Sequence, residues 1–170
     1  MSFANGYFPD ALKIARVCPI FKCGDKFEFT NYRPISILPS FSKIFEKLMH
    51  NRLTNLTTHT ILYKNQFGFR SNHSTLMAIL EMVDKISAAV DKKEYSVGVF
   101  IDLSKAFDTL DHKILLHKLQ HYGIRGVALE WFKSYLENRS QFVDYNGSNS
   151  NLLKIKCGVP QGSIFGPLLF

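Results

Sequence analysis

Three aspartates that follow one apolar run are the first residues in this sequence that could do chemistry. Residues 95–102 predict a strand buried on both faces, because the run is almost entirely apolar until it ends in Asp102. A carboxylate at the end of such a strand suits Mg²⁺, which prefers rigidly held oxygen ligands. The pattern alone favours another role, in which Asp102 caps a turn or a helix. Asp108 and Asp111 precede the helical pattern HKILLHKL, so helix capping is the better interpretation of both.

Cysteine and histidine chemistry is not indicated. The cysteines Cys18, Cys23 and Cys157 are odd in number and form no Cys-x-x-Cys pair, so we expect free thiols in a reducing compartment. His112 and His117 are five positions apart, which does not match the spacing of a helical zinc motif. The sequence therefore predicts neither a zinc site nor a Ser-His-Asp triad.

Composition is that of a globular domain with a basic surface. The chain has 170 residues, 46% of them apolar, and a formal net charge of +7. A domain of this size buries about 70% of the surface of its unfolded chain. The positive charge suits a polyanionic partner such as nucleic acid, although many basic proteins bind none. Neither a signal peptide nor a run of 18 apolar residues is present, so we expect no membrane span and an intracellular protein, in the nucleus or the cytoplasm.

The first half of the chain predicts a strand, a turn and two helices. Residues 13–21 predict the strand, and Gly24 marks a turn or finger-like hairpin after it. Ser40 is the expected N-cap of a helix that ends near residue 56. Ser74 or Thr75 caps the next helix, whose apolar stripe is expected to face the core. That stripe consists of Leu76, Ile79, Leu80, Val83, Ile86 and Val90.

The second half predicts two further helices and a hairpin. Residues 112–121 predict a helix that ends near Gly123, and residues 127–137 predict another, with its Trp and Phe towards the core. Asn146–Gly147 predicts a two-residue hairpin turn. The chain stops at Phe170 without a helix-ending signal, which we take as the sign of a cut inside a larger fold.

Four sequence blocks in series resemble the reverse transcriptases of non-long-terminal-repeat retrotransposons, of the jockey-like kind. FIDLSKAFDTLDHKILLHKL and GVPQGSIFGPLLF resemble palm motifs. FPDALKIARVCPIFKCGDKFEFTNYRPISILPSFSKIFEKLMHNRL resembles the fingers, and NQFGFRSNHST resembles the next block. The resemblance implies an α+β fold: the fingers and partial palm of a right-hand polymerase, with an antiparallel palm sheet flanked by helices. The whole chain, 1–170, would be a fragment of that domain, fingers-like over about 1–94 and partial palm over about 95–170.

The resemblance also implies a metal role for Asp102. It matches the family's strand acid, which is catalytic and binds two Mg²⁺ ions, for which Mn²⁺ may substitute; these ions clamp an in-line displacement. The family has a second acidic motif, an aromatic-x-Asp-Asp hairpin, which this sequence does not contain. We therefore expect Mg²⁺ to bind only where the site is completed by further carboxylates.

Five residues match family positions that contact the incoming nucleotide. Lys22 and Arg33 match residues that grip the triphosphate, for which a point charge and a bidentate fork are suited. Phe107 matches an aromatic steric gate that selects dNTPs over rNTPs, and Gln161 and Gly162 match a turn that supports the nascent base pair. The alternatives are ordinary surface charge for the two cations, a core side chain for Phe107, and a plain Pro/Gly turn for the rest.

Gly68 and Arg70 match a block near the template strand, where an arginine would meet phosphate. The expected partners are an RNA template, a DNA primer and dNTP, with no obligate protein partner evident. The expected function is that of a fragment of an RNA-directed DNA polymerase that is inactive alone. Two alternatives stay open: a non-catalytic nucleic-acid-binding remnant or domesticated domain, and an unstable relic without function.

Overall fold

The structure, a computed structural model, describes residues 1–60 and 62–169, with the side chains of all of these except 54–60. It contains two compact units. The large unit comprises Met1–Thr54 and Lys105–Phe170, and the small unit comprises Asn55–Ser104. Helix α1 (Ser40–Thr60) begins in the large unit and ends in the small unit.

A five-stranded sheet organises the large unit. Its strands are β1 (Ile14–Phe21), β2 (Tyr32–Ile37), β3 (Ser140–Tyr145), β4 (Ser148–Asn149) and β5 (Leu153–Lys154). Neighbouring strands are hydrogen-bonded to each other in the spatial order β2-β1-β3-β4, and β5 also pairs with β3. The predicted strand over 13–21 and the predicted hairpin at residues 146–147 are both confirmed.

The predicted antiparallel sheet is wrong in one pairing. β1 runs antiparallel to β2, with Ile20 opposite Arg33, but parallel to β3, with Ile14 opposite Ser140. A hairpin forces its two strands to be antiparallel, whereas a long connection allows either direction. The helices between β1 and β3 provide such a connection, so the sheet is mixed.

The helices are α1 (Ser40–Thr60), α2 (Thr75–Asp91), α3 (His112–His121), α4 (Val127–Leu136) and α5 (Gly166–Leu169), with short 3₁₀ turns at Asp10–Leu12 and Phe29–Asn31. The four helices predicted from periodicity are thus confirmed. Ser74 caps α2, because its hydroxyl oxygen accepts the Met77 N–H at 3.4 Å. Gly123, at φ +92°, follows α3, as predicted for a glycine that marks the C-terminal end of a helix.

The predicted strand over 95–102 is wrong. These residues have no regular structure, and their apolar side chains are exposed, Val97 by 89% and Ile101 by 83%. A strand forms only where neighbouring strands satisfy its N–H and C=O groups. Among the described residues, none pairs with this segment, so its β propensity has no sheet to join.

The predicted core stripe of α2 is wrong for a related reason. No residue of α2 is buried, and all six members of the stripe are exposed. The periodicity correctly predicts an amphipathic helix, but it predicts burial only where another element covers the apolar face. In the part of the chain that the structure describes, the small unit does not bury that face.

The core of the large unit is built around α4. Trp131, Phe132, Tyr135 and Leu136 are fully buried, as the Trp and Phe were expected to be. Trp131 and Tyr135 stack with ring centroids 5.7 Å apart and an interplanar angle of 7°. The buried cluster also includes Phe8, Met49, Leu53, Leu115, Leu119, Ile124, Val159, Phe165 and Leu169. This core fixes α1, α3 and α5 around the loop that carries the candidate site.

Candidate nucleotide site

The loop over 158–164, which we call the glutamine loop, lies directly against β2. The Ser36 N–H donates a hydrogen bond of 2.7 Å to the carbonyl oxygen of Gln161. Gly162 has φ +118°, and a Cβ built on it would lie 2.8 Å from the Ser36 carbonyl oxygen. Only glycine fits there without a shift of backbone, so the glycine allows the loop to approach the strand closely.

The start of the glutamine loop is held by the turn that precedes α3. The Val159 N–H donates to the Phe107 carbonyl at 2.8 Å, and the Gly158 N–H donates to the Leu110 carbonyl at 2.7 Å. His112 Nε2 lies 2.7 Å from the Gly158 carbonyl oxygen, to which its N–H can donate. Gly158 has φ +82° and packs so closely that a Cβ would lie 2.7 Å from the Phe107 oxygen. The two segments are therefore joined through backbone atoms.

Phe107 connects this turn to the core. The side chain is half-buried and packs against the buried cluster, with its Cδ1 3.8 Å from an ideal Cβ on Gly166. Contact with the core is what the structural interpretation of Phe107 predicts. Its carbonyl oxygen also accepts the Val159 N–H, so Phe107 lies next to the glutamine loop as well. The geometry is compatible with both roles.

Lys22 and Arg33 lie on the β1–β2 hairpin of the same unit. Arg33 is opposite Ile20 in β2, and the Lys22 N–H donates 2.8 Å to the Asn31 carbonyl at the hairpin tip. Both side chains are exposed, as phosphate-binding cations must be. The hairpin that carries them thus continues into the strand against which Gln161 packs.

A cavity of about 270 Å³ lies where β2, β3 and the glutamine loop meet. Gln141, Gln161, Asp108 and Lys156 contribute amide, carboxylate and ammonium groups to its wall. The remaining lining residues are Val17, Pro34, Ser36, Ile155, Cys157, Gly158, Val159 and Pro160. A small polar cavity with a few convergent groups can hold part of a polar ligand, such as a phosphate or a base edge.

The acids beside this loop have different roles. Asp111 is the N-cap of α3, because its Oδ1 accepts the N–H groups of Lys113 at 2.7 Å and Ile114 at 3.0 Å. Hydrogen bonds from these two amides hold the pKa of Asp111 below its ordinary value. The capping prediction is confirmed for Asp111 and wrong for Asp108, which lies three positions before the cap and lines the cavity instead.

Asp102 belongs to the small unit and lies in the exposed segment without regular structure. Magnesium needs several oxygen ligands in a rigid arrangement. Within residues 1–60 and 62–169, no three His, Cys, Asp or Glu side chains are grouped so as to hold a metal ion. The residues present therefore do not fit a complete magnesium site.

The three cysteines are free thiols, as predicted.

Gly68 and Arg70 lie on a turn of the small unit, before α2. Arg70 Nη1 donates 3.4 Å to the Tyr63 carbonyl, and its buried Nε has no hydrogen-bond partner among the described atoms. Gly68 is exposed, and a Cβ there would meet no atom within 4 Å. The open space around Gly68 therefore does not require a glycine at this position. Arg70 is partly engaged by the protein itself.

Glu46, which was not predicted from the sequence, contacts the glutamine loop from α1. Its side chain is 0% exposed, and its Oε2 accepts the Ile164 N–H at 2.7 Å. A signal was present: Ser42, Glu46, Met49 and Leu53 recur at helical spacing, and all four are buried. A carboxylate on the apolar face of a helix is unusual and marks a hydrogen-bonded position.

The family of the chain follows from comparison with known proteins. Residues 22–170 match the family described as reverse transcriptase (RNA-dependent DNA polymerase). The chain belongs to the reverse transcriptase family. Its relatives place it with the polymerases of jockey-like non-long-terminal-repeat retrotransposons, as the four sequence blocks predicted.

Three relatives illustrate the range of similarity. The RNA-directed DNA polymerase from mobile element jockey of Drosophila melanogaster is 41% identical over 97% of this chain and 18% of its own length. Its counterpart from Drosophila funebris is 38% identical over 97% and 18%. The Pol polyprotein of retrotransposable element R2 from Popillia japonica is 29% identical over 98% and 23%. The chain thus spans about a fifth of the length of these relatives.

The helices that the structure describes include none with the length and apolar character of a membrane-spanning helix.

Proposed function

We propose that this chain supplies the nucleotide-facing part of a polymerase that copies an RNA template into DNA. The observation that carries the proposal is the clamped glutamine loop, bonded to β2 through Ser36 and to the turn of Phe107 through Val159. This arrangement joins in one unit three segments that the family resemblance assigns to nucleotide binding: the hairpin with Lys22 and Arg33, the Phe107 turn and the loop itself.

In this proposal each group has a role that suits its chemistry. Arg33 and Lys22 bind the triphosphate, because both are exposed cations and the guanidinium can contact two oxygens at once. Gln161 presents an amide to the base pair or the sugar, while its backbone is fixed on β2. The Phe107 ring limits the space at the ribose 2′ position, which selects dNTPs.

The metal remains a conditional part of the proposal. Asp102 would be the catalytic carboxylate and would supply one oxygen ligand to Mg²⁺, or Mn²⁺, where further carboxylates complete the site. One carboxylate does not complete such a site. We therefore propose that the isolated chain binds nucleotide without incorporating it, and that incorporation needs further acidic ligands.

A second candidate function is non-catalytic binding of RNA or DNA. It is favoured by the net charge of +7 together with the absence of a metal-binding cluster among the described residues. Gly68 and Arg70 would then lie near a template strand, where the Arg70 fork meets phosphate. Such binding would weaken steeply as salt rises, because it releases counterions from the nucleic acid.

Two measurements on the purified chain test these functions. The first titrates a fluorescent dNTP analogue: Arg33→Ala should weaken binding about tenfold, the loss of a charge-assisted hydrogen bond, whereas Arg125→Ala, an exposed arginine elsewhere, should not. Phe107→Ala should bring rNTP affinity close to dNTP affinity. If wild type binds no dNTP, or if Arg33→Ala binds it equally well, the nucleotide-site proposal is wrong.

The second measurement is primer extension on an RNA template with Mg²⁺ or Mn²⁺. We expect no incorporation by the isolated chain. If the wild-type chain incorporates nucleotide and Asp102→Ala does not, the proposal that the isolated chain is inactive is wrong. Salt-dependent RNA binding without any dNTP binding would favour the second candidate function.

A further inference from the structure

The end of the glutamine loop is held by a buried carboxylate. Glu46 Oε2 accepts the Ile164 N–H at 2.7 Å, and this bond joins positions 118 residues apart. The other bonds that fix the loop run mainly between backbone atoms, as at Ser36 and Val159. Glu46 is therefore a charged side-chain anchor for the residues that follow Gln161.

The second oxygen of Glu46 is bound by hydroxyl groups. Oε1 accepts the Tyr135 hydroxyl at 3.0 Å and the Ser42 hydroxyl at 3.3 Å. The three hydrogen-bonding groups described here, the Ile164 N–H and the Tyr135 and Ser42 hydroxyls, can thus all donate to the carboxylate, as an ionised carboxylate requires. Burial nevertheless raises the pKa of Glu46 above its ordinary value, while the three donors and the nearby Arg139 counteract the rise.

The buried cation beside Glu46 does not form an ion pair with it. Arg139 is 1% exposed, and its Nη1 donates 3.0 Å to the Tyr135 carbonyl. Its guanidinium lies over the Tyr135 ring at 4.8 Å, and no salt bridge joins it to Glu46 within 4.0 Å among the described side chains. The Arg139 Nε and Nη2 atoms have no hydrogen-bond partner there. The carboxylate is thus held by hydrogen bonds rather than by a neutralising partner.

An arrangement of this kind is costly for packing alone. A buried charge destabilises a fold unless its hydrogen bonds compensate, and a well-packed apolar side chain of similar volume is often at least as stabilising. A leucine at position 46 would continue the apolar face formed by Met49 and Leu53. It would leave the Ile164 N–H, the Tyr135 hydroxyl and the Ser42 hydroxyl without this acceptor. Of these three bonds, the one to Ile164 is the bond that reaches the glutamine loop.

We propose that Glu46 is a positioning residue that holds the glutamine loop in the conformation that presents Gln161 and Gly162 to the nucleotide. The bond to Ile164 closes the loop at one end, as the bonds of Gly158 and Val159 close it at the other. The Tyr135 hydroxyl, which makes the shorter of the two hydroxyl bonds, orients the carboxylate for this contact. The link to nucleotide binding rests on the function proposed above, whereas the link to loop conformation rests on the contacts alone.

Hydrogen exchange of the purified chain tests the positioning role. In Glu46→Leu, we expect exchange of the amides of residues 161–166 to accelerate about tenfold, the effect of one lost hydrogen bond of ordinary net strength. Exchange in β3 should stay as in wild type. Ser42→Ala is the matched control, because it removes a bond to Oε1 and leaves the Ile164 contact in place.

Glu46→Gln distinguishes positioning from general destabilisation. The glutamine oxygen can accept the Ile164 N–H, and its amide can donate to the two hydroxyls, which also accept. We therefore expect Glu46→Gln to restore slow exchange in the loop and dNTP affinity close to wild type, while Glu46→Leu weakens dNTP binding about tenfold.

The outcomes separate this inference from the proposed function. Unchanged loop exchange in Glu46→Leu would overturn the inference, and so would acceleration spread equally over β3 and α4. If Glu46→Leu does not fold, Glu46→Ala, which also removes the acceptor of the Ile164 N–H, takes its place: loop exchange as slow in Glu46→Ala as in Glu46→Gln would contradict the inference. A wild-type chain without dNTP affinity would refute the nucleotide site, and the exchange comparison would still decide the role of Glu46.

Discussion

The Ser36 N–H donates a 2.7 Å hydrogen bond to the carbonyl oxygen of Gln161, and it thereby attaches the glutamine loop to β2. Ser36 is buried in the strand that also carries Arg33. Because both partners of this bond are backbone atoms, the side chain of Gln161 does not have to hold the loop. The loop conformation and the chemistry that it presents are therefore determined by different atoms.

Replacement of Gly162 should detach the loop from β2. Gly162→Ala combines a left-handed backbone with a Cβ 2.8 Å from the Ser36 oxygen, so we expect a loss of about 1–3 kcal/mol in the free energy of unfolding. Gly123→Ala is the control, because Gly123 also has positive φ but nothing within 4 Å of a Cβ. It should lose only about 1 kcal/mol. Urea denaturation measures both, and equal losses would argue against the close contact.

Removal of the α3 cap should make stability less sensitive to acid. The pKa of Asp111 is lowered in the folded state by its bonds to the Ile114 and Lys113 amides. The stability that Asp111 contributes is therefore fully present above its unfolded-state pKa of about 3.9, and it is lost as pH falls through the folded-state pKa. Asp111→Ala should be less stable than wild type at neutral pH, and the difference should shrink in acid. Urea denaturation at a series of pH values measures it, and Asp111→Asn, which retains a cap, should lie between the two. A difference that is constant with pH would contradict this.

Truncation in the core should be far more costly than truncation on the surface. Phe132 is fully buried between Trp131 and Phe165, with ring centroids 5.4 Å from each. Phe132→Ala should lose about 3–5 kcal/mol of unfolding free energy. Ile114→Ala, at a 60% exposed position of α3, should change it by no more than about 0.5 kcal/mol. Thermal and urea denaturation of both variants check the contrast.

The segment at 95–102 should tolerate polar substitution. Ile101 is 83% exposed, so Ile101→Ser should change the free energy of unfolding by no more than about 0.5 kcal/mol. Had the segment been a buried strand, the same change would cost about 2–5 kcal/mol. Urea denaturation distinguishes the two, and a loss in the larger range would mean that the isolated chain buries this segment.

Sequence was most informative where the determinants are local. The caps at Ser74 and Asp111, the glycine after α3 and the turn at 146–147 act within a few residues, and the structure has each where it was predicted. The parallel pairing of β1 with β3 was not predictable in the same way, because strand direction depends on a connection of more than a hundred residues. The exposed face of α2 shows the same limit: an apolar stripe specifies that a face can be buried, not what covers it.

The same distinction between local patterns and long-range contacts applies to the candidate site. Sequence blocks indicated Lys22, Arg33, Phe107, Gln161 and Gly162, and the structure has all five in the large unit. Their roles as nucleotide ligands stay predictions. Glu46 was missed because its importance arises from a contact with Ile164, 118 positions away. No local pattern around Glu46 identifies that partner, although its position on a buried helical face indicated that it needed one.

The parallel pairing of β1 with β3 has a consequence for how the chain is made. Arg16 and Asp144, whose side chains form a salt bridge of 3.3 Å between these strands, are 128 positions apart. A ribosome adds about 5–20 residues per second, so β1 emerges on the order of ten seconds before β3 exists to pair with it. During that interval one edge of β1 is open, with only the β2 hairpin to occupy the other. Folding of the large unit on the ribosome therefore has a waiting period before β1 gains its second neighbouring strand.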